Sequence, residues 1–515
     1  MSADSPAPAT GFLRKLGLFD ATMLVAGSMI GSGIFIVSAD IARDVGSSGW
    51  LMMVWVLAGV MTVMGALCYA ELAAMMPHAG GQYVYLREAY SPLWGFMYGW
   101  AAFLVIQTGT VAAVAVAFAK FLGVLVPALG TDQYIYEVRG LDISLSFPLP
   151  WMDEPLVFFK RESFTISMGQ LVATGVLVFL SLLNCAGVEA GKWVQNVFTT
   201  AKTLALLLLI IIGLTLAADA ATVQSNWNNL WDGIARTARF AGVDRLVPFG
   251  GLTVAFMVAG GAMVGALFSA DAWNNVTFIA GEVKDPRRVL PRALVIGTGM
   301  VIVLYLLANL SYLAALPLQG MADGSSPQEL GIAHARDDRV ATAVLELVSP
   351  GFGVPLMAVA IMISTFGCVN GMVLMGARLY YAMARDSLFF ASVGRLNGRG
   401  VPAVGLILQC AWSVLLIFSG TYSDLLDYVI FAALLFYVLT VTGLFVLRRK
   451  RPDAERPYRA WGYPVVPAVY VVLCALIMLD LLIVRPVFTW PGLVIVLSGI
   501  PVYFLWRRFG VPVTS

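Results

Sequence analysis

The sequence predicts an all-α polytopic membrane protein with twelve transmembrane helices, and three observations carry that expectation. Of 515 residues, 60% are apolar and only 12% charged, about half the roughly 25% charge of an ordinary soluble domain. Apolar runs of about 20 residues, the length that crosses a bilayer, recur along the chain. Lys and Arg divide unevenly between alternate connections, as membrane topology requires. So few charges cannot cover a water-facing surface, which excludes a soluble enzyme, a disordered protein and a nucleic-acid binder. The net charge of +2 gives no reason to seek an acidic polymer as partner.

The first span is expected at 17–43 and the second at 49–76, followed by 92–127, 165–184 and 191–216. A second group covers 251–281, 289–316, 351–384, 402–420 and 422–447, and two last spans lie at 463–484 and 488–508. Two long connections, 128–163 and 217–250, are placed on the outer side. The segment 320–350 alternates charge and apolar residues and is expected to hold a short surface helix. With the N-terminus inside, 19 Lys and Arg fall in the cytoplasm and 10, from Arg43 to Arg485, outside; Lys120, Lys202 and Arg378 lie within spans. The bias puts both termini in the cytoplasm. Residues 1–16 are polar and offer no cleavable signal. The two histidines, His78 and His334, fall in loops, which argues against a histidine metal site, and the five cysteines suggest no disulfide framework. No metal and no cofactor is expected.

Two spans are interrupted. The first carries GSMIGSGIF, Gly27 to Phe35, with three glycines at the middle of an apolar helix. Glycine costs about 1 kcal/mol against alanine there, and backbone released from a helix in lipid must line a cavity or find other partners. Broken ends expose N–H groups on one half-helix and carbonyls on the other, which suit a carboxylate and an ammonium. The sixth span carries GALFSADAW, Gly265 to Trp273, with Asp271 deep in the apolar run. A carboxylate at that depth must face a polar cavity or a partner. For each break a simpler role stands beside binding: close helix packing for the glycines, a half-helix cap for Asp271. Their matching positions in two five-helix halves favour a binding site between inverted repeats.

Together with these breaks, CYAELAAMMPHAGGQYVYLREAYSPLWGFMYGW at 68–100, GEVKDPRRVLPRAL at 281–294 and STFGCVNG at 364–371 resemble the amino acid–polyamine–organocation transporter superfamily, within it the L-type amino acid transporter branch and its bacterial relatives. The resemblance covers almost the whole chain. It implies the leucine-transporter fold, with a 5+5 inverted repeat and two peripheral helices. The expected division is a tail at 1–16, a first repeat at 17–216, an outer loop at 217–250, a second repeat at 251–447, a basic loop at 448–462, peripheral helices at 463–508 and a tail at 509–515. It implies a substrate carboxylate at the backbone of Ile30, Gly31, Ser32 and Gly33, and an α-ammonium at the carbonyls of Ser28 or Met29 and of Phe268. Phe268 matches an aromatic gate and Asn274 a polar residue after the break; Gly109, Thr110 and Phe431 approach the side chain. The chain departs from the branch at Ala270, where a tyrosine is usual, and at Ala272, where a glycine is usual.

Lys202 lies about ten residues into the fifth span, ~15 Å deep, too far to reach the surface by extending. Its ammonium must therefore bond carbonyls or hydroxyls inside the bundle. The resemblance places it beside the first break and Ser364 and Thr365, where sodium-coupled members of the fold hold a cation. It would replace sodium there, couple transport to protons, or act as structure alone. Glu71 and Lys120 read as interfacial or structural, and the basic run 448–452 as an orientation signal, with lipid head-group contact as the lesser alternative.

The resemblance thus implies a secondary transporter of amino acids in the plasma membrane, of the bacterial inner-membrane kind. Sodium-independent exchange of neutral L-amino acids by alternating access leads. Proton symport, or carriage of cationic amino acids or polyamines paired by Asp271, is the alternative. An enzyme would need clustered catalytic residues, and a sensor a signalling domain; neither pattern is seen. The partners expected are the amino acid and membrane lipids. With no cysteine at 128–163, no disulfide-linked heavy chain is expected, and the chain should be a monomer or weak homo-oligomer.

Overall fold

The computed structural model describes residues 12–147, 156–228, 230–231, 239–240, 243–244, 252–419, 422–484 and 486–509. The tail segments 1–11 and 510–515, and Arg236, Arg245 and Arg485 on the expected outer side, lie outside the described residues.

The first expected span is two helices, α1 (Leu18–Met29) and α2 (Gly33–Val45), parted by the non-helical stretch 30–32. Gly46 ends α2 at φ +66°, a left-handed conformation that glycine adopts without steric cost. Next come α3 (Ser48–Met75), α4 (Gln82–Ala89) and α5 (Pro92–Ala101). A wide π turn at Ala102–Ile106 joins α5 to α6 (Gln107–Leu125), so one long span bulges at its centre. Such bulges often accompany functional sites.

The connection expected at 128–163 is an antiparallel hairpin, β1 (Tyr134–Phe147) and β2 (Leu156–Ser167), paired from Tyr134 opposite Ser167 to Phe147 opposite Leu156. The register shifts between Arg139 and Ile143. The hairpin runs directly into α7 (Met168–Cys185). There the Ser167 hydroxyl accepts the Gln170 N–H at 3.2 Å and the Gln170 side chain accepts the Ser167 N–H at 2.9 Å, a reciprocal cap for two orphan donors.

Then follow α8 (Val188–Thr215), α9 (Ala220–Asn228) and the two-residue strands β3 (Arg239–Phe240) and β4 (Val243–Asp244). The sixth span is again two pieces, α10 (Leu252–Ser269) and a 3-10 segment at Trp273–Glu282. After α11 (Pro286–Ala315), the stretch expected to hold a short helix carries α12 (Pro327–Leu330) and α13 (Val340–Val348). The chain closes with α14 (Gly353–Arg385), α15 (Ala403–Ser419), α16 (Tyr422–Lys450), α17 (Val465–Val484) and α18 (Pro486–Phe509). Among the described residues ten segments are long and apolar enough to cross a membrane, and α10 and the shorter apolar α15 complete the twelve. This is the leucine-transporter fold, with its first and sixth spans broken.

Packing brings the two broken spans together. α2 lies against α10, α1 lies against α8, α11 and α14, and α14 lies against α6 and α8. A Cβ on Gly33 would overlap the Ser269 side chain and press on its backbone, so the close approach of α2 to the end of α10 requires glycine there.

Two buried carboxylates are paired with arginines, as a low-dielectric interior favours. Glu282 and Arg378, both fully buried, meet at 2.9 and 3.0 Å, and Arg378 also donates to the Leu374 carbonyl at 2.6 Å. Glu71, at 0% exposure, accepts from Arg448 at 2.9 and 2.6 Å, from the Ala460 N–H at 2.6 Å, and lies 3.4 Å from Arg456. The basic end of α16 and the loop that follows it are thereby held against α3. Nearby, Glu88 pairs with Arg87 and Arg451. Burial acts to raise the Glu88 pKa, but the two guanidinium groups outweigh it and hold the carboxyl below its ordinary value. Finally, the N–H groups of Lys15 and Leu16 donate to the Glu282 carbonyl at 2.9 and 3.0 Å, and the Lys284 N–H donates to the Leu16 carbonyl at 2.8 Å.

Candidate functional site

The first break is built around the carbonyls that α1 leaves unbonded at its end. Lys202 of α8, fully buried, donates to the carbonyls of Gly27, of Ile30 at 2.7 Å and of Ser364 at 3.2 Å. The Ser364 hydroxyl lies 3.0 Å from the Ile30 carbonyl and 2.9 Å from that of Gly31. The Cys368 thiol reaches the Ser28 carbonyl at 3.0 Å, and the Tyr305 hydroxyl bridges the carbonyls of Met29 and Ser269 at 2.9 and 3.0 Å. Each carbonyl from Gly27 to Gly31 therefore has a side-chain donor. Thr365 takes no part, because its hydroxyl donates back into its own helix, to Ile361 at 2.9 Å and Met362 at 3.1 Å. Gly31 keeps space beside it: a Cβ there would meet only the Cys368 sulfur, at 3.5 Å.

The second break differs. Ala272 sits at φ +66°, a conformation that costs a residue with a Cβ about 1–2 kcal/mol, and it turns the chain from α10 into the 3-10 segment. The Phe268 carbonyl accepts the Asp271 N–H at 3.1 Å. The Asp271 carboxylate, 9% exposed, accepts the Tyr437 hydroxyl of α16, which also lies 3.3 Å from the Asn274 side-chain oxygen. Asn274 donates to Gln82 at 2.8 Å, and Gln82 to Thr440 at 3.0 Å. Asn275 donates to Gln107 at 3.1 Å, and Gln107 to the Met372 carbonyl at 2.9 Å.

These groups wall a small cavity with room for about one water; Gln82, Gln107, Thr110, Asp271, Asn274, Asn275 and Tyr437 line it together with apolar groups such as Ile106, Met372 and Ala433. A second cavity of similar size lies on the other side of Asp271, Ala433 and Tyr437, and is lined mainly by apolar groups, Leu267, Ala270, Trp273 and Leu434 among them. Of the residues singled out in the sequence, Thr110, Asp271 and Asn274 face the polar cavity. Ser28, Met29, Ile30, Gly31, Ser32, Gly33, Phe268 and Phe431 do not line it. Ser32 and Gly33 head α2, while Phe268 and Phe431 are buried in apolar packing.

Sequence reasoning passed over Gln82, Gln107, Asn275, Tyr305 and Tyr437. A glutamine or asparagine inside an apolar run is a readable signal of a polar cavity. The partners of the two tyrosines come from helices distant in sequence and are not readable.

A fold of this kind, with donors converging on two breaks, is matched by a family model described as amino acid permease over residues 16–505. The chain belongs to the amino acid permease family. It is 31% identical to the large neutral amino acids transporter small subunit 2 of Mus musculus, over 96% of this chain and 81% of that one. It is 30% identical to the b(0,+)-type amino acid transporter 1 of Homo sapiens, over 99% and 91%. It is also 29% identical to the Asc-type amino acid transporter 1 of Mus musculus, over 96% and 82%. The permease is accordingly a multi-pass membrane protein.

Proposed function

We propose that the protein moves amino acids across the plasma membrane by sodium-independent exchange, holding the substrate between the two breaks and alternating access to it. The observation that carries this reading is the occupation of the first break by a fixed cation. The ammonium of Lys202 gathers the carbonyls of Gly27, Ile30 and Ser364, oxygens of the kind that hard cations also take. A tethered ammonium there leaves no role for sodium. The substrate carboxylate is assigned to the N–H groups heading α2 and its ammonium to the neighbouring carbonyls, which requires that some of their present donors yield or share. The amide-rich cavity at the second break receives the side chain.

Neutral L-amino acids are the leading substrates, in keeping with the name of the large neutral amino acids transporter small subunit 2. Asp271, facing that cavity, supports a second reading in which the side chain is cationic. The division into two inverted five-helix repeats, both termini on the cytoplasmic side and a chain working without a disulfide-linked partner belong to the same proposal. The test is uptake of radiolabelled amino acids into liposomes carrying the purified protein, without sodium. Uptake that requires unlabelled amino acid inside is expected. Uptake into empty vesicles driven by an inward proton gradient would replace exchange by symport, and a sodium requirement would overturn the role given to Lys202.

A further inference from the structure

The polar and apolar cavities share one wall, made by Asp271, Tyr437 and Ala433. A buried carboxylate facing a substrate side chain poses a physical problem. Left without a donor it excludes neutral side chains, because an unpaired buried charge is costly. Here the Tyr437 hydroxyl donates to that carboxylate while its ring lies against Trp273 and Tyr69, with centroids 5.5 and 6.0 Å apart. Behind the ring lies a small void with room for about one water, bordered by Ala270 and by Cys474 of α17.

Resting on the amino acid transport reading, we infer that Tyr437 is a specificity-determining residue, an exchangeable donor that lets one site take both neutral and cationic side chains. With a neutral side chain in the polar cavity, Tyr437 keeps the Asp271 carboxylate hydrogen-bonded. When a guanidinium or ammonium enters, it takes the carboxylate over, and the Tyr437 hydroxyl turns to the Asn274 side-chain oxygen 3.3 Å away.

The experiment measures exchange of a labelled neutral and a labelled cationic amino acid by the purified protein in liposomes, with binding of both in detergent as the second readout. Tyr437→Phe is expected to raise the cationic-to-neutral ratio about tenfold or more, because the carboxylate loses its stand-in donor. Adding Asp271→Asn to that variant should restore neutral transport and remove the cationic preference. Tyr437→Phe that scales both classes by one factor in transport and binding overturns the inference, as does a double variant that restores nothing. A wild-type protein that binds and exchanges neither class sinks the transport reading itself. Exchange of neutral substrates by the wild type, with cationic ones ignored, leaves that reading standing and sinks only the role of Tyr437.

Discussion

The two broken helices use the same interruption for opposite purposes. At the first, donors from α8, α11 and α14 engage the free carbonyls in succession: Lys202, Tyr305, Ser364 and Cys368. At the second, the Asp271 carboxylate takes the hydroxyl of Tyr437 and stands between two cavities. The carbonyl side of the first break is anchored, and the second stands beside open space. The number of internal partners at a break therefore decides how firmly it is held.

The sharpest way to break that comparison is Lys202→Ala. It strips a donor from three buried carbonyls, and a loss of about 3 kcal/mol or more is expected, read as a large fall in thermal midpoint in detergent together with loss of exchange. If Lys202→Ala stayed as stable as the wild type, the first break would not be anchored by it. Gly33→Val comes next, since its side chain must displace Ser269; overpacking of this kind costs about 1–3 kcal/mol. Gly31→Ala, whose added carbon meets only Cys368 at 3.5 Å, should be nearly silent in thermal stability. Equal destabilisation by the two would remove the distinction between packed and spacious glycines.

Asp271→Asn should leave stability almost unchanged, in contrast to Lys202→Ala, while reducing exchange of cationic substrates about tenfold relative to neutral ones. Parallel loss for both classes would make Asp271 a helix cap. Ala272→Gly is expected to add about 0.5 kcal/mol, because glycine relieves the left-handed strain and gives part of the gain back in backbone entropy. The smallest effect is a reference away from both breaks. The Glu88 carboxyl has a folded pKa below its ordinary 4.5, so its contribution is present above that value and fades as pH falls through the folded pKa. Arg451→Gln should flatten that acid limb of a stability–pH curve without touching exchange at neutral pH.

Much of this was legible in the sequence, and for stated reasons. Apolar runs and the Gly-Ser cluster at 27–33 place the spans and the first break, because lipid offers no partner for backbone that is not helical. Lys202 is readable from depth alone. The hairpin at 134–167 was missed although Leu141 to Phe147 alternates apolar and polar residues, the period-2 signal of a strand; a membrane reading treats such a stretch as a loop. The packing against Gly33 was not legible for a different reason. Glycine in a sequence says that something comes close, but not that the neighbouring Ser269 is part of it. Tyr437 was invisible because its partner lies 166 residues away.

One quiet feature bears on how such a molecule can move. The strand-like pairing of Leu16 with Val283, reinforced by the bonds to the Glu282 carbonyl, couples the entry to α1 with the exit from the second broken span. Pulling on either transmits force to the other through backbone hydrogen bonds rather than through adaptable side chains. At that end the two broken spans behave as one lever with a common handle, and any swing of α1 alone must first unzip it.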